Sequence, residues 1–337
     1  MPGPVEVTNR AGARPGTSER PIFIGGVPRS GTSLMRAILG SHPQVALFPT
    51  ELPIWRSFLG LYRGQDLKRL DVRRRLVEDI VSHDNVARAG VTLDGEAVLG
   101  ELAAEPAVTL GRVYAHILSQ YARQVGRPRW GVKSPGDELH SDAIFAEFPG
   151  ARVVHMMRDP RDVVVSQRGR PNMSRRHIAS IAYSWRRSAR LARHYTDKYA
   201  GAYVAVRYED LVSDPSATVR RVCEVLDLEY RSGMLKMNGQ PKWPGSNSSY
   251  SDVSAEGRTI SRIGVGRYLT RLPAVDTWFV QSRVGAELDR WGYVPSAVAL
   301  SARDRWQIAR WLVEEAGWRM LSRIRLWEPA ARMLGRR

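Results

Sequence analysis

The chain of 337 residues has one cysteine, Cys223, and nothing else of its kind to bind or bridge. A lone cysteine excludes an internal disulfide framework and a cysteine-built zinc site, and it points to a reducing compartment. Long apolar runs are missing too: no stretch approaches the ~18 consecutive apolar residues of a membrane span. The segment MPGPVEVTNRAGARPGTSER lacks the apolar centre of a secretory signal and reads as a flexible tail over residues 1–20. These absences make a cytoplasmic location the expectation. Acidic residues are in deficit, with 34 Asp and Glu against 51 Lys and Arg, a formal net charge of +17. Such an excess suits nucleic acid, an anionic membrane surface or a highly charged small substrate, or it reflects an arginine-rich surface with no specific partner.

What is present describes a large α/β protein. Apolar residues make up 43% of the chain and include ten tryptophans, enough to bury a substantial core. PIFIGGV (21–27), ARVVHMM (151–157) and AYVAVR (202–207) are short β-branched or aromatic runs that read as buried strands. Helical patterns cover roughly 52–127, with breaks near Gly60, Gly90, Gly95 and Pro106, then 137–148, 159–168, 175–198 and 215–227. Strands alternating with helices imply right-handed crossovers, hence a P-loop-like three-layer α/β fold with a central parallel sheet flanked by helices. No repeat or linker divides the chain. One domain is expected over 21–300, with a long polar loop at 238–259, followed by a basic amphipathic helix in 301–337.

A further absence is local. Gly26, four residues, then Gly31, Thr32 and Ser33 fit the nucleotide-binding pattern G-x-x-x-x-G-K-[ST], except that Thr32 replaces the lysine. That lysine reaches the β- and γ-phosphates of ATP, so this loop is poorly equipped for a magnesium-bound triphosphate. It is well equipped for a terminal phosphate or sulfonate. Backbone N–H groups at a helix start attract anions, Gly31 permits close approach, Ser30, Thr32 and Ser33 add hydroxyls, and Arg29 adds a cation. A second anion motif, MMRDPRDVVVSQRGR (156–170), begins where a strand ends. Arg158 at the strand end and Ser166 on the following helix could reach one phosphate on the same rim of the sheet, with Arg161 and Arg170 nearby. The plainer alternative is a charged helix start in which Asp159 and Asp162 neutralise the arginines.

Together GVPRSGTSLMRAIL and MMRDPRDVVVS resemble the 5′-phosphosulfate loop and 3′-phosphate motif of sulfotransferases that use 3′-phosphoadenosine 5′-phosphosulfate (PAPS). The likeness is to the tyrosylprotein and bacterial branch, and it extends loosely over 21–270. A PAPS site has no γ-phosphate to grip and carries a separate 3′-phosphate, which accounts for both the missing lysine and the second arginine–serine motif. The resemblance implies in-line transfer of a sulfonate to the hydroxyl of a small-molecule, glycolipid or tyrosyl acceptor, with no metal and no nucleic-acid partner.

It also implies roles for single residues. Glu51 in FPTELPIW would be the base, against the plainer reading of an acid near a helix start. A histidine base is the rival, although His42 and His155 both read as structural. Lys133 in RWGVKSP resembles the family's K-[ST/D]-P element and would stabilise the leaving group together with Arg29. Tyr208 in VRYEDLVSDP matches a position near the adenine, or is a packing tyrosine. Gly264, Gly266 and Arg267 in SRIGVGRYLTRL resemble a loop that closes over the 3′-phosphate. Near the C-terminus Trp306, Val313, Met320, Ile324 and Trp327 fall on one helical face among arginines, which suits peripheral membrane contact, core packing or an oligomer contact. Two other function classes stay open: a P-loop-type ATP-dependent small-molecule kinase, and a basic nucleic-acid-binding protein, the latter against dispersed basic residues and no recognised reading module.

Overall fold

The computed structural model describes residues 20–168, 175–240 and 260–323. They divide into two compact units: one holds the chain up to Arg158 and from Arg187 to Val265, the other Asp159–Arg186 and the chain from Gly266 onward. The tail before residue 20, Arg170, most of the loop expected at 238–259, Ile324 and Trp327 lie outside the described residues.

The first unit is built on five strands, β1 (Ile22–Gly26), β2 (Val45–Leu47), β3 (Arg129–Lys133), β4 (Arg152–Met157) and β5 (Tyr203–Arg207). All pair in parallel, in the order β2-β3-β1-β4-β5. Alternate residues enter different cores, as the two-residue period of a strand requires. Phe23, Val132 and Val153 meet Leu76, Leu102, Val113, Tyr114 and Ile117 from the helices Leu70–Val81, Gly95–Ala103 and Leu110–Gln124. Ile22, Ile24, Val154 and Met156 face Leu34, Met35 and Ile38 of the helix Thr32–Gly40, and Val219, Val222 and Leu226 of the helix Pro215–Leu226. Helices therefore cover both faces of a parallel sheet, as the sequence predicts.

The sequence reading places no strand at 129–133, and the structure corrects it. β3 lies between β2 and β1, yet Arg129, Gly131 and Lys133 interrupt its apolar pattern. Each has a local reason. A Cβ on Gly131 would stand 2.8 Å from the Ile22 carbonyl oxygen, so neighbours pack directly onto its backbone. The buried Arg129 guanidinium donates to the carbonyls of Arg20 and Leu226. Lys133 belongs to the candidate site below.

His155 on β4 is fully buried between Tyr203 Oη, 2.6 Å from Nδ1, and Ser188 Oγ, 2.7 Å from Nε2. Burial lowers its pKa to about 3. The folded state therefore keeps a neutral imidazole while the unfolded chain takes up a proton near pH 6.5, so stability is full above that pH and is lost as pH falls towards 3. Between pH 7 and 5.5 the wild type is expected to lose ~1.3 kcal/mol more stability than His155→Gln in denaturant titrations. Equal losses would contradict this assignment.

In the second unit the helix Ala302–Arg323 packs Ile308 and Trp311 inward, with Trp311 edge-on to Phe279 at 5.4 Å between ring centres. Trp306 and Val313 are 66% and 72% exposed, so the expected apolar face begins as a surface and not as core. Among the described residues no helix is long and apolar enough to cross a membrane.

Candidate active site

Strand order fixes where a ligand can sit. The chain leaves β1 towards β2 and leaves β4 towards β5, and these neighbours pair with Gly26 opposite Met156. Diverging connections open a crevice at the carboxyl ends of the two strands. The two anion motifs start there.

β1 ends at Gly26 with φ 133, where any Cβ would strike the Met156 carbonyl oxygen. The following turn is closed by Ser30 N–H donating to Val27 O at 3.1 Å. Arg29 has φ 79, a left-handed conformation that a non-glycine residue keeps only when its surroundings impose it. Arg158 supplies the constraint, donating from Nη1 to Arg29 O at 2.9 Å. Gly31 has φ 93, and a Cβ there would lie 2.6 Å from the Tyr208 ring. The helix Thr32–Gly40 then starts with no side-chain cap. Ser30 Oγ is buried without a hydrogen-bond partner, a donor that a bound anion would satisfy.

Glu51 follows β2, and Lys133 closes β3. Although 82 residues apart, they meet with Lys133 Nζ 2.7 Å from Glu51 Oε1. The lysine is 2% exposed, and burial pushes its pKa down, helped by the positive charges of Arg36 and Arg29 and opposed by Glu51. Arg36 and Arg29 thus bring further positive charge to the lysine at this rim, which favours an anionic ligand. The Glu51 carboxylate serves the lysine, and the helical turn Ile54–Phe58 begins after Pro53 with no side-chain cap. Its backbone is fixed from both sides: Asn85 Nδ2 donates to Glu51 O at 2.8 Å, and Tyr114 Oη donates to Leu52 O at 3.1 Å. The rival His42 is fully buried, with Nε2 3.1 Å from Glu229 O and Nδ1 accepting from Gln44 N–H.

Arg158 also donates from Nη2 to Gly264 O, and its guanidinium lies 4.5 Å from the Tyr208 ring centre. Tyr208 is 1% exposed and packs so closely that a Cβ on Gly264 would be 2.7 Å from its hydroxyl. The tyrosine thus brings Gly31, Arg158 and Gly264 around one ring.

Ser166, Gly266 and Arg267 belong to the second unit. There Asp162, one turn before Ser166 on the helix Pro160–Arg168, accepts from Gly266 N–H at 2.7 Å and Tyr268 N–H at 2.9 Å. This brings the Gly266–Arg267 turn to the helix. Arg161 is spent on the fold: it pairs with Asp159 at 2.6 Å and lies over the Tyr268 ring at 3.9 Å. Asp159 therefore neutralises an arginine as the plainer reading has it, and Asp162 adds its charge to the same arginine while holding backbone.

The sequence reading misses Arg36, Asn85 and Glu138. Arg36 is 1% exposed on the first helix, and its signal was an arginine inside the apolar run LMRAIL. Asn85 and Glu138 act on backbone groups, and no residue spacing announces that.

A sequence model of the sulfotransferase family matches residues 21–232. A Caenorhabditis briggsae protein with a provisional protein-tyrosine sulfotransferase name is 28% identical over 223 residues, 64% of this chain and 69% of that protein. The protein-tyrosine sulfotransferase of Drosophila melanogaster is 27% identical over 232 residues, 65% of this chain and only 42% of the relative. Among solved structures, the sulfotransferase domain of the Synechococcus PCC 7002 olefin synthase has the same fold, with a TM-score of 0.55 at 21% identity over 82% of this chain and 95% of that one. The sulfotransferase domain from the curacin biosynthetic pathway follows at 0.51 and 17%, covering 82% and 99%. With both motifs beginning at one sheet rim and the family model matching residues 21–232, more than half of the sequence, the chain belongs to the sulfotransferase family.

Proposed function

We propose that the chain transfers a sulfonate group from PAPS to an acceptor hydroxyl. The observation that carries this reading is the Glu51–Lys133 pair at 2.7 Å, at the ends of adjacent strands and on the rim that bears the phosphate loop. PAPS, when bound, supplies the sulfonate and departs as adenosine 3′,5′-bisphosphate. Arg29, Ser30, Gly31, Thr32 and Ser33 hold its 5′ end, where the uncapped helix start and the unsatisfied Ser30 hydroxyl fit an anion. Glu51 removes the acceptor proton, and Lys133 with Arg29 meets the negative charge that develops on the leaving oxygen. Arg158 and Tyr208 serve the 3′-phosphate and adenine end. Ser166, Gly266 and Arg267 keep the roles their motifs give them. The reading uses no metal ion.

The names of the relatives make a tyrosyl hydroxyl the first acceptor to test, ahead of small-molecule and glycolipid hydroxyls. Buried, unpaired Cys223 agrees with a reducing, cytoplasmic setting. The exposed Trp306 and Val313 are the residues through which a peripheral membrane contact would be made.

The test is transfer from sulfur-labelled PAPS into a host-cell extract separated into protein, lipid and water-soluble fractions. Label in one fraction, lost with Glu51→Gln, supports the reading and names the acceptor class. Label that persists with Glu51→Gln overturns the mechanism. A separate result concerns Arg158→Ala, which is expected to weaken adenosine 3′,5′-bisphosphate more than AMP in calorimetric titrations, by ~10-fold or more, because a charge-assisted phosphate contact is lost. Equal losses would contradict a 3′-phosphate role for Arg158.

A further inference from the structure

A buried polar chain crosses the first unit and ends at the candidate site. Glu138, 2% exposed, follows the turn after Lys133. Its Oε2 accepts from Gly26 N–H at 2.7 Å and from Gly136 N–H at 2.7 Å. Gly26 begins the phosphate loop, and Gly136 lies in the turn after Lys133, so one oxygen joins the two segments. Oε1 accepts from Ser188 Oγ at 3.2 Å. Ser188 and His155 are fully buried and Tyr203 nearly so, at 2%, with the contacts to His155 given above.

Donors and acceptors in this chain can run only one way while Glu138 is a carboxylate. The Ser188 proton points to Glu138, so Ser188 accepts from His155 Nε2–H, and His155 Nδ1 accepts from the Tyr203 hydroxyl. A neutral His155 meets this requirement as a single tautomer, and the low pKa that burial gives it agrees. Gly25 has no side chain in the way: a Cβ there would sit 2.9 Å from Glu138 N and Cβ. The acid is thus packed against the strand whose end it holds.

We propose that Glu138 is a positioning residue for sulfonate transfer, which fixes the phosphate loop relative to Lys133 and is itself oriented by Ser188, His155 and Tyr203. The proposal rests on the functional reading above. Glu138 touches no reacting atom; it sets the distance between the groups that do. A misplacement of ~1 Å in such groups can cost on the order of 100-fold in rate, so Glu138→Ala is expected to lower kcat by about that factor while changing the Kd of adenosine 3′,5′-bisphosphate by less than ~10-fold. Ser188→Ala frees only one oxygen, and a loss of ~3–10-fold in kcat is expected for one hydrogen bond.

Glu138→Gln gives the sharper test. Its amide oxygen can still accept from Gly26 and Gly136, while its N–H₂ faces Ser188, whose own proton stays hydrogen-bonded by turning to His155 Nε2 and so reversing the chain. Most of kcat is therefore expected to return, and His155 is expected to change from the Nε2–H to the Nδ1–H tautomer, read by ¹⁵N NMR of the imidazole. The proposal is overturned by a folded Glu138→Ala enzyme with wild-type kcat, by a Gln variant as slow as the Ala variant, or by an unchanged His155 tautomer. If Glu138→Ala does not fold, Ser188→Ala and Glu138→Gln carry the same decision. The tautomer is measured without substrate. A wild type that neither binds adenosine 3′,5′-bisphosphate nor transfers sulfonate would instead defeat the functional reading.

Discussion

Glu51→Gln is expected to reduce sulfonate transfer by about 10²–10⁴-fold, the usual contribution of a positioned general base. Glutamine keeps the length of the side chain, and its amide oxygen can still accept from Lys133 Nζ at the 2.7 Å position. The backbone bonds from Asn85 to Glu51 O and from Tyr114 to Leu52 O do not involve the carboxylate and survive. What disappears is the ability to take a proton. Affinity for adenosine 3′,5′-bisphosphate is accordingly expected to stay within ~2-fold, since the substitution leaves the proposed phosphate site at the helix start untouched. An active Glu51→Gln enzyme would move the base role to water or another side chain, and His42 would be a poor choice with both ring nitrogens engaged by backbone.

Lys133→Met is the second large effect. Removing a fixed donor aimed at developing negative charge costs on the order of 10²–10³-fold in rate, and Lys133 is the most deeply buried cation that touches the proposed base. Stability moves far less. The ammonium is buried at a cost shown by the downward push on its pKa, and a methionine of similar volume recovers that cost. Glu51, with a side chain 27% exposed, can turn to water once its partner is gone. A loss of kcat with a nearly unchanged melting temperature is therefore expected. A large fall in melting temperature with a retained rate would make Lys133 a structural residue. Lys133→Arg is not expected to rescue, because a planar guanidinium does not fit a site shaped for a compact ammonium.

Much of this site was legible in the chain. The proposed phosphate loop stands out through Gly26, Gly31 and three hydroxyl residues after a clean apolar run, and β1, β4 and β5 are readable as short buried runs. The string that proposes Lys133 is legible, while the strand that carries it is not. β3 mixes two cations and a glycine into five residues, and only its neighbours explain them: Gly131 admits Ile22 and Leu47, Arg129 finds carbonyls, and Lys133 finds Glu51. That is tertiary context overriding pattern. The same holds for Arg158, whose motif suggests a phosphate ligand but whose hydrogen bonds also hold Arg29 in its left-handed conformation. Glu138 was invisible because a carboxylate that accepts backbone N–H groups leaves no spacing in the sequence.

The most direct test of the account is a calorimetric titration of the full chain with adenosine 3′,5′-bisphosphate and, separately, with ATP and magnesium. The loop lacks the lysine that grips a γ-phosphate, so tight, magnesium-independent binding of the bisphosphate and weak binding of ATP are expected. Tight magnesium-dependent ATP binding with no response to the bisphosphate would contradict it.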